Sequence, residues 1–392
     1  MSRRRTLTGI GIGLAAAGTT AAAKVVVDRL ARALQTAKAL DSLDTYDDEA
    51  SAQLVVMADD GVPLHVEIDE PEGPPALTLK GSAAPTVVFS HGYALSLRSW
   101  VFQRRALKAA GYRVVLWDQR GHGLSGAGSK ESYEIDQLGL DLHAVIAAVA
   151  PQGPLVLVGH SMGGMTMMSL AAHHPELIRD RVIGVAFVAT SPGGISAVSW
   201  GLGSVLGKAV HKLGPFAVGQ LAGRQGLVNS VLKVGREVEE YFVDIYSFAS
   251  PVPLSIVRMT ADMIFATRIE VISDFIETFD KHDKREALER FIGVETLVIN
   301  GANDMMTPPG HSEEIVMLIP GAEHVVVNDA GHLIMLEHGD VVSEQLLALI
   351  VRSERAAVDL DQRAKPRVLR TITDLAKRQR VKALQGLQRG AS

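Results

Sequence analysis

The sequence predicts an α/β protein, a mostly parallel β-sheet wound with helices on both faces and interrupted by an inserted helical segment. Three observations carry that prediction. Short apolar runs, too brief for helices, alternate with stretches of helical periodicity. A hairpin signal at Asp60-Gly61 opens the pattern with an antiparallel edge. The long stretch 192–289 keeps helical periodicity without a convincing strand. Alternation of this kind implies parallel strands, because each crossover needs a helix to return the chain to the same edge of the sheet.

Taken in order, the elements begin after residue 50. "LVVMADDGVPLHVEID" alternates apolar and polar on both sides of Asp60-Gly61, as two paired strands require. Six further runs read as strands: Thr86 to Ser90, Arg113 to Trp117, Leu155 to Gly159, Val182 to Thr190, Thr296 to Asn300 and Val325 to Asn328. The expected sheet is therefore eight-stranded. Helical stretches lie between most of them: Arg98 to Ala110, Tyr133 to Val149, Met162 to His174, His311 to Leu318 and Val341 to Val351. The expected organisation is a core in two parts, 51–191 and 290–352, with 192–289 as a helical cap. No acid occurs between Arg181 and Arg236, where Lys208, Lys212, Arg224, Lys233 and Arg236 are spaced among apolar residues. A basic, apolar lid suits an uncharged or lipid-like substrate, though any cap also needs an apolar inner face to stay folded.

The two ends differ from the middle. In residues 1–50, Arg3-Arg4-Arg5 precede an uncharged stretch, Thr6 to Ala23, with Ala21-Ala22-Ala23 as an A-x-A site. Signal-anchor, cleaved export signal and plain surface helix all remain open, and Arg3-Arg4 carries a weak twin-arginine hint. Localisation is accordingly expected to be membrane-associated or exported, with cytoplasmic as the alternative. From Arg352 onward the tail holds eleven Arg and Lys against four acids. Val368 to Leu387 is expected to form a basic amphipathic helix, either solvated or lying on anionic lipid. Membrane contact is thus expected, if anywhere, through the N-terminal segment and the basic tail 353–392.

Composition narrows the function. The formal net charge of −5 argues against a nucleic-acid partner, since such proteins concentrate a basic excess on one face. The chain has no cysteine, which removes disulfides, thiolate metal sites and a cysteine nucleophile. An oxygen or a lysine must then serve as any nucleophile.

The chemistry-bearing residues fall at predicted strand ends. "GHSMGG" places Ser161 in a G-x-S-x-G pattern at a strand-to-helix junction, where flanking glycines permit a tight turn that exposes the hydroxyl at a helix N-terminus. A serine hydroxyl needs a base to take its proton and a carboxylate to orient that base. Asp304 follows the strand "TLVIN", and His332 follows "HVVVND", giving the order Ser161, Asp304, His332. Glu337 and Asp329 compete with Asp304 but do not end a strand one element earlier. The loop "FSHGYALS" supplies the backbone N–H of Tyr93 as one donor for a developing oxyanion, and the Met162 N–H is the second. His160 is expected to pack beneath the turn. His91 is expected to be structural, and Asp118, Arg120 and His122 in "WDQRGHGLS" to brace their loop. Trp100 and Trp200 are the aromatic residues assigned to the substrate pocket.

Together "SHGY", "DQRGHGLS", "GHSMGG", "GANDMMTP" and "AGHL" resemble the α/β-hydrolase superfamily, particularly its bacterial esterase and lipase-like members, over about Val55 to Val351. The resemblance implies a Ser161–His332–Asp304 triad, an oxyanion hole at Tyr93 and Met162, and neither metal nor organic cofactor. "GHSMGG" is also similar to the elbow of monoacylglycerol lipases, whereas "HGYALS" departs from the loop typical of that group. Serine at 161 separates the chain from epoxide hydrolases and haloalkane dehalogenases, which attack with aspartate. The expected activity is hydrolysis of apolar or lipid-like carboxylic esters, a small-molecule ester or lipid being the partner. Alternatives are a cofactor-free perhydrolase or haloperoxidase, a C–C bond hydrolase, or a non-catalytic ligand-binding protein of this fold.

Overall fold

The computed structural model of the chain describes residues 36–41, 44–74, 84–195, 243, 247–358 and 368–390. They belong to two compact units, a larger one of 45–250 and 257–374 and a smaller one containing 36–41, 251–256 and 375–390. The N-terminal segment before residue 36, most of the cap and Trp200 lie outside the described residues. Among the described residues no helix is long and apolar enough to cross a membrane.

The larger unit is built on one nine-stranded sheet in the order β1-β2-β4-β3-β5-β6-β7-β8-β9. β1 (Ala52–Met57) and β2 (Pro63–Asp69) pair antiparallel across the Asp60-Gly61 turn, where Gly61 adopts φ +84°. On β1 Val56 is buried while Val55 and Met57 face outward, as expected of an edge strand with one covered face. β2 in turn runs antiparallel to β4 (Arg113–Trp117). From there every pairing is parallel, through β3 (Thr86–Ser90), β5 (Leu155–His160), β6 (Val182–Val188), β7 (Glu295–Gly301) and β8 (Glu323–Val327). Their near-continuous apolar runs follow from burial on both faces. Leu155, Val156, Leu157 and Val158, for instance, are at most 1% exposed.

The described helices are α1 (Val101–Ala109), α2 (Ile135–Val149), α3 (Met162–His173), α4 (Pro175–Arg181), α5 (Leu254–Ala266), α6 (Ile269–Lys281), α7 (Pro309–Leu318), α8 (Ile334–Glu337) and α9 (Gly339–Val358), of which α1 to α4, α7 and α9 pack on the strands. The described part of the predicted cap contains α5 and α6, with no strand of more than the single bridge Gly193–Asp283.

The tail corrects the sequence reading. Val368 to Leu387 is not one helix: Val368–Ile372 forms β9, a ninth strand parallel to β8, and α10 (Leu375–Gly390) follows in the smaller unit. β-branched Val368, Thr371 and Ile372 favour the extended chain. Arg370 pairs with Glu323 on the neighbouring strand and donates to Gln345 at 2.7 Å, so charges that read as a helical face serve a sheet edge instead.

The strand order determines where a site can form. The chain steps from β3 outward to β4 and then crosses to β5 on the other side of β3, so connections diverge between β3 and β5. A crevice opens at the carboxyl ends of strands at such a switch point. His91 to Tyr93 follow β3 there, and Ser161 follows β5.

Candidate active site

Ser161 sits between β5 and α3 with φ +50° and ψ −117°, a conformation rare for a side-chain-bearing residue. Its main chain is clamped: Ser161 N donates to Val188 O at 3.0 Å, and Thr190 Oγ1 donates to Ser161 O at 2.6 Å. Gly163 explains the motif's second glycine. A Cβ there would lie 2.1 Å from Ser90 O, a backbone atom that cannot move aside. The chain thus crosses β3 at a separation only glycine allows. Gly164 N and Met165 N both donate to Ser161 O, leaving the amides of Met162 and Gly163 ahead of any intrahelical acceptor.

Asp304 and His332 meet as expected. His332 Nδ1 lies 2.9 Å from Asp304 Oδ2, with both side chains buried. The acid is held by its own loop, in a local turn of the kind aspartate favours: Met306 N and Thr307 N donate to Oδ1 at 2.8 and 2.9 Å, and Thr307 Oγ1 donates to Oδ2 at 2.8 Å. Burial by itself would raise the Asp304 pKa, but the His332 charge and the hydrogen bonds from His332 and Thr307 outweigh it and hold the carboxyl below its usual range. With Nδ1–H directed at a carboxylate, His332 Nε2 is the nitrogen left to act as base.

His332 also reaches the serine's strand end. His160, the residue before Ser161, donates from Nε2 to His332 O at 3.0 Å, and the two rings lie 4.7 Å apart. Ser161 and His332 form no hydrogen bond with each other; in ligand-free sites such bonds are often long and tighten on substrate binding. His160 is fully buried, and burial together with the His332 charge keeps it neutral.

The loop after β3 borders the serine. A Cβ on Gly92 would stand 3.3 Å from Ser161 Cβ and 2.5 Å from His160 Nδ1, so the Gly92–Tyr93 backbone runs directly past the elbow. Two neutral histidines brace this loop. His122 Nε2 accepts from Ala94 N at 3.1 Å, which leaves Nδ1–H to donate to Arg120 O at 2.9 Å. His91 Nε2 accepts from Gln119 N at 2.9 Å while Nδ1–H donates to Gly92 O at 2.7 Å. Burial lowers their pKa values to about 4 and about 3 respectively, the nearby His122 adding to the effect on His91. Arg120 binds Asp141 bidentately and Asp60 on the hairpin, and Asp118 accepts from Leu97 N and Leu124 N. These side chains hold loops in place.

The two tryptophans divide. Trp100 has no exposed surface and packs on Phe89 at 4.9 Å and His160 at 6.4 Å, so it supports the elbow from below and does not wall the pocket. Trp200 lies outside the described residues. Next to the elbow, Met162, Met165, Ile195, Val271, Phe275 and Phe279, with Tyr93 and Met306 packed against them, form a buried apolar cluster. On the other side, a cleft of about 510 Å³ opens beside Asp304 between Phe248, Ala249, Met305 and Gly331.

Sequence reasoning missed Thr307 and the work of Glu337. Thr307 Oγ1 lies 3.3 Å from His332 Nδ1 and donates to Asp304, and the Asp-x-x-Thr spacing in "DMMT" was the available signal. Glu337 is not the triad acid. Its carboxylate accepts from Ala249 N, Ser250 N, Ser250 Oγ and Gly331 N, tying a segment within the cap to the residue before His332. No sequence signal marks those partners, since three of the four are backbone or side-chain atoms of residues 249 and 250. Among the described residues no group of three or more His, Asp or Glu has metal-binding geometry.

Comparison with known proteins bears on the fold. A family model described as alpha/beta hydrolase fold matches residues 85–339. A dihydrolipoyllysine-residue acetyltransferase component of an acetoin cleaving system from Pseudomonas putida is 26% identical over 69% of this chain; the match spans 65% of that protein, just under two thirds of its length. An sn-1-specific diacylglycerol lipase from Mus musculus is 28% identical over 65% of this chain and 77% of its own. Among solved structures, an enol-lactonase from Burkholderia xenovorans LB400 superposes with a TM-score of 0.56 and 26% identity, covering 76% of this chain and 99% of the lactonase.

Proposed function

Since the chain belongs to the alpha/beta hydrolase family by its match over residues 85–339, we propose that it is a serine hydrolase acting on carboxylic esters with apolar or lipid-like acyl groups. The observation that carries this reading is the buried Asp304–His332 pair, 2.9 Å apart, joined through His160 to the strained serine elbow. The buried apolar cluster that contains Met162 and Met165, the first turn after Ser161, gives the serine apolar surroundings and supports an uncharged acyl group. The diacylglycerol lipase and the enol-lactonase are named for cleaving ester bonds, which supports the bond type.

In the proposed reaction Ser161 Oγ attacks the ester carbonyl carbon as His332 Nε2 takes the hydroxyl proton. Asp304 keeps the imidazole in the tautomer that can accept it and stabilises the imidazolium that results. Negative charge collects on the carbonyl oxygen, where the N–H groups of Tyr93 and Met162 receive it. One such donor contributes about 3–4 kcal/mol to lowering the barrier. The C–O bond then breaks, the alcohol leaves with the proton from His332, and the acyl group stays on Ser161. Water repeats the sequence and releases the acid.

Labelling with a fluorophosphonate and turnover of p-nitrophenyl esters of rising chain length test this together. The expected result is labelling and hydrolysis by the wild type, and loss of both in Ser161→Ala with the fold intact by circular dichroism. A folded wild type that never labels, or a Ser161→Ala protein that labels equally, overturns the reading.

A further inference from the structure

Tyr93 carries two contacts of different kinds. Its backbone lies in the loop that passes Ser161, and its phenol leaves the sheet to donate to Ile272 O, within α6, at 2.5 Å. The ring is clasped on the way by Phe279 at 5.2 Å and Phe275 at 6.3 Å, both on the same helix, and by His122 at 6.3 Å. From the sheet side the loop is pinned by Ala94 N donating to His122 Nε2 at 3.1 Å and by Leu95 N donating to Gly92 O at 3.2 Å. Ala94 itself adopts φ +57°.

We propose that the Tyr93 side chain is a positioning residue: its phenol latches the oxyanion loop to cap helix α6, so that the Tyr93 amide stands at the serine only while the helix is docked. This inference rests on the serine-hydrolase reading above and assigns a task to the side chain that the reading gives only to the backbone. The physical case is one of leverage. The amide of Tyr93 is bonded to the Cα that carries the phenol, so a displacement of α6 transmitted through that ring moves the amide. Misplacement of a catalytic group by about 1 Å can cost about a hundredfold in rate, so a partial shift of one donor is significant. Burial pushes the phenol pKa above its ordinary value, and the group therefore remains a donor at any working pH. The acceptor is a helix carbonyl, which keeps its intrahelical partner when the phenol is removed. Loss of the latch therefore leaves no buried acceptor stranded on α6.

Tyr93→Phe is the test, because it keeps the ring against Phe275 and Phe279 and removes only the hydroxyl. On an ester turned over by the wild type, kcat is expected to fall about tenfold with KM within twofold, since the loss concerns charge that develops only in the transition state. Inhibition by an alkylboronic acid, which forms a tetrahedral anion on serine, weakens by the same factor as kcat/KM. A latch that merely holds the fold together would lower Tm and leave both ratios untouched. Unchanged kcat in Tyr93→Phe, or reduced kcat with undiminished boronate inhibition, overturns the latch while leaving the hydrolase reading intact. A wild type without Ser161-dependent turnover overturns both. Should Tyr93→Phe fail to fold, fluorotyrosine at position 93 keeps the donor and acidifies it: kcat that changes with donor strength supports the latch, and kcat insensitive to it overturns the proposal.

Discussion

Asp304 illustrates how a single carboxylate is prepared for one partner. One oxygen accepts two amides of its own loop, and the other faces Thr307 and His332. Asparagine at 304 would keep an acceptor for the loop and turn an NH2 group toward Nδ1, forcing the proton onto Nε2. Asp304→Asn is therefore expected to lower kcat by about 10³–10⁴-fold with KM little changed, as measured on any ester the wild type turns over. Because the Asp304 pKa is held below its ordinary value, its share of stability is present above the unfolded value and lost only as pH falls through the lower, folded one. Thr307 could be read from the Asp-x-x-Thr spacing of its loop, whereas Glu337 was illegible because its partners are fixed by how distant loops meet, not by residue type.

The β5–α3 elbow concentrates strain and close approach in five residues, Gly159 to Gly163. Ser161 holds a conformation that costs on the order of 1–3 kcal/mol, and its clamp to Val188 O and Thr190 keeps it there. Gly163→Ala would drive a methyl into the Ser90 carbonyl, which belongs to the sheet and cannot give. A loss of about 1–3 kcal/mol or more is expected from urea unfolding, accompanied by lost activity, because relief would have to move either β3 or the elbow. The G-x-S-x-G pattern made this element readable from sequence, since few arrangements other than a tight crossing require glycine at both positions. β9 was the opposite case. A basic stretch around one short β-branched run fits a helix or an edge strand, and only the free edge of β8 selected the strand.

Across the whole molecule, buried neutral histidines connect the site to pH. His91, His122 and His282 are lowered to about 3, 4 and 4 by burial, and His160 lies well below its ordinary value for the same first reason. Each takes up a proton more readily in the unfolded chain. Its stabilising share is thus complete above about 6.5 and is lost as pH falls toward the folded value, at about 1.4 kcal/mol per pH unit. Asp118, pushed up to about 6 by burial, and His65, raised by its bond to Glu67, work in the other direction. His143 and His311, also lowered by burial, add to the first set and the buried carboxyls Asp141 and Glu354, raised by burial, to the second, so six imidazoles stand against four groups and leave a net loss. Urea unfolding at pH 7, 6 and 5 is expected to show stability falling with each step; a flat profile would contradict the buried, uncharged state of these rings.

The sequence by itself determined the α/β class, eight strands along the chain, the strand-end place of the serine and the candidacy of Asp304 and His332 as its acid and base. Those features follow from local rules: apolar runs of strand length, glycines where backbones cross, and an acid and a base after successive strands. Tertiary structure alone decided that Trp100 supports the elbow, that Glu337 anchors a loop, that 368–372 closes the sheet as β9, and that the Tyr93 phenol reaches a cap helix 179 residues away in the chain. The physical reason is that such contacts depend on which surfaces folding brings face to face, and residue type fixes what a side chain can do without fixing what it will meet.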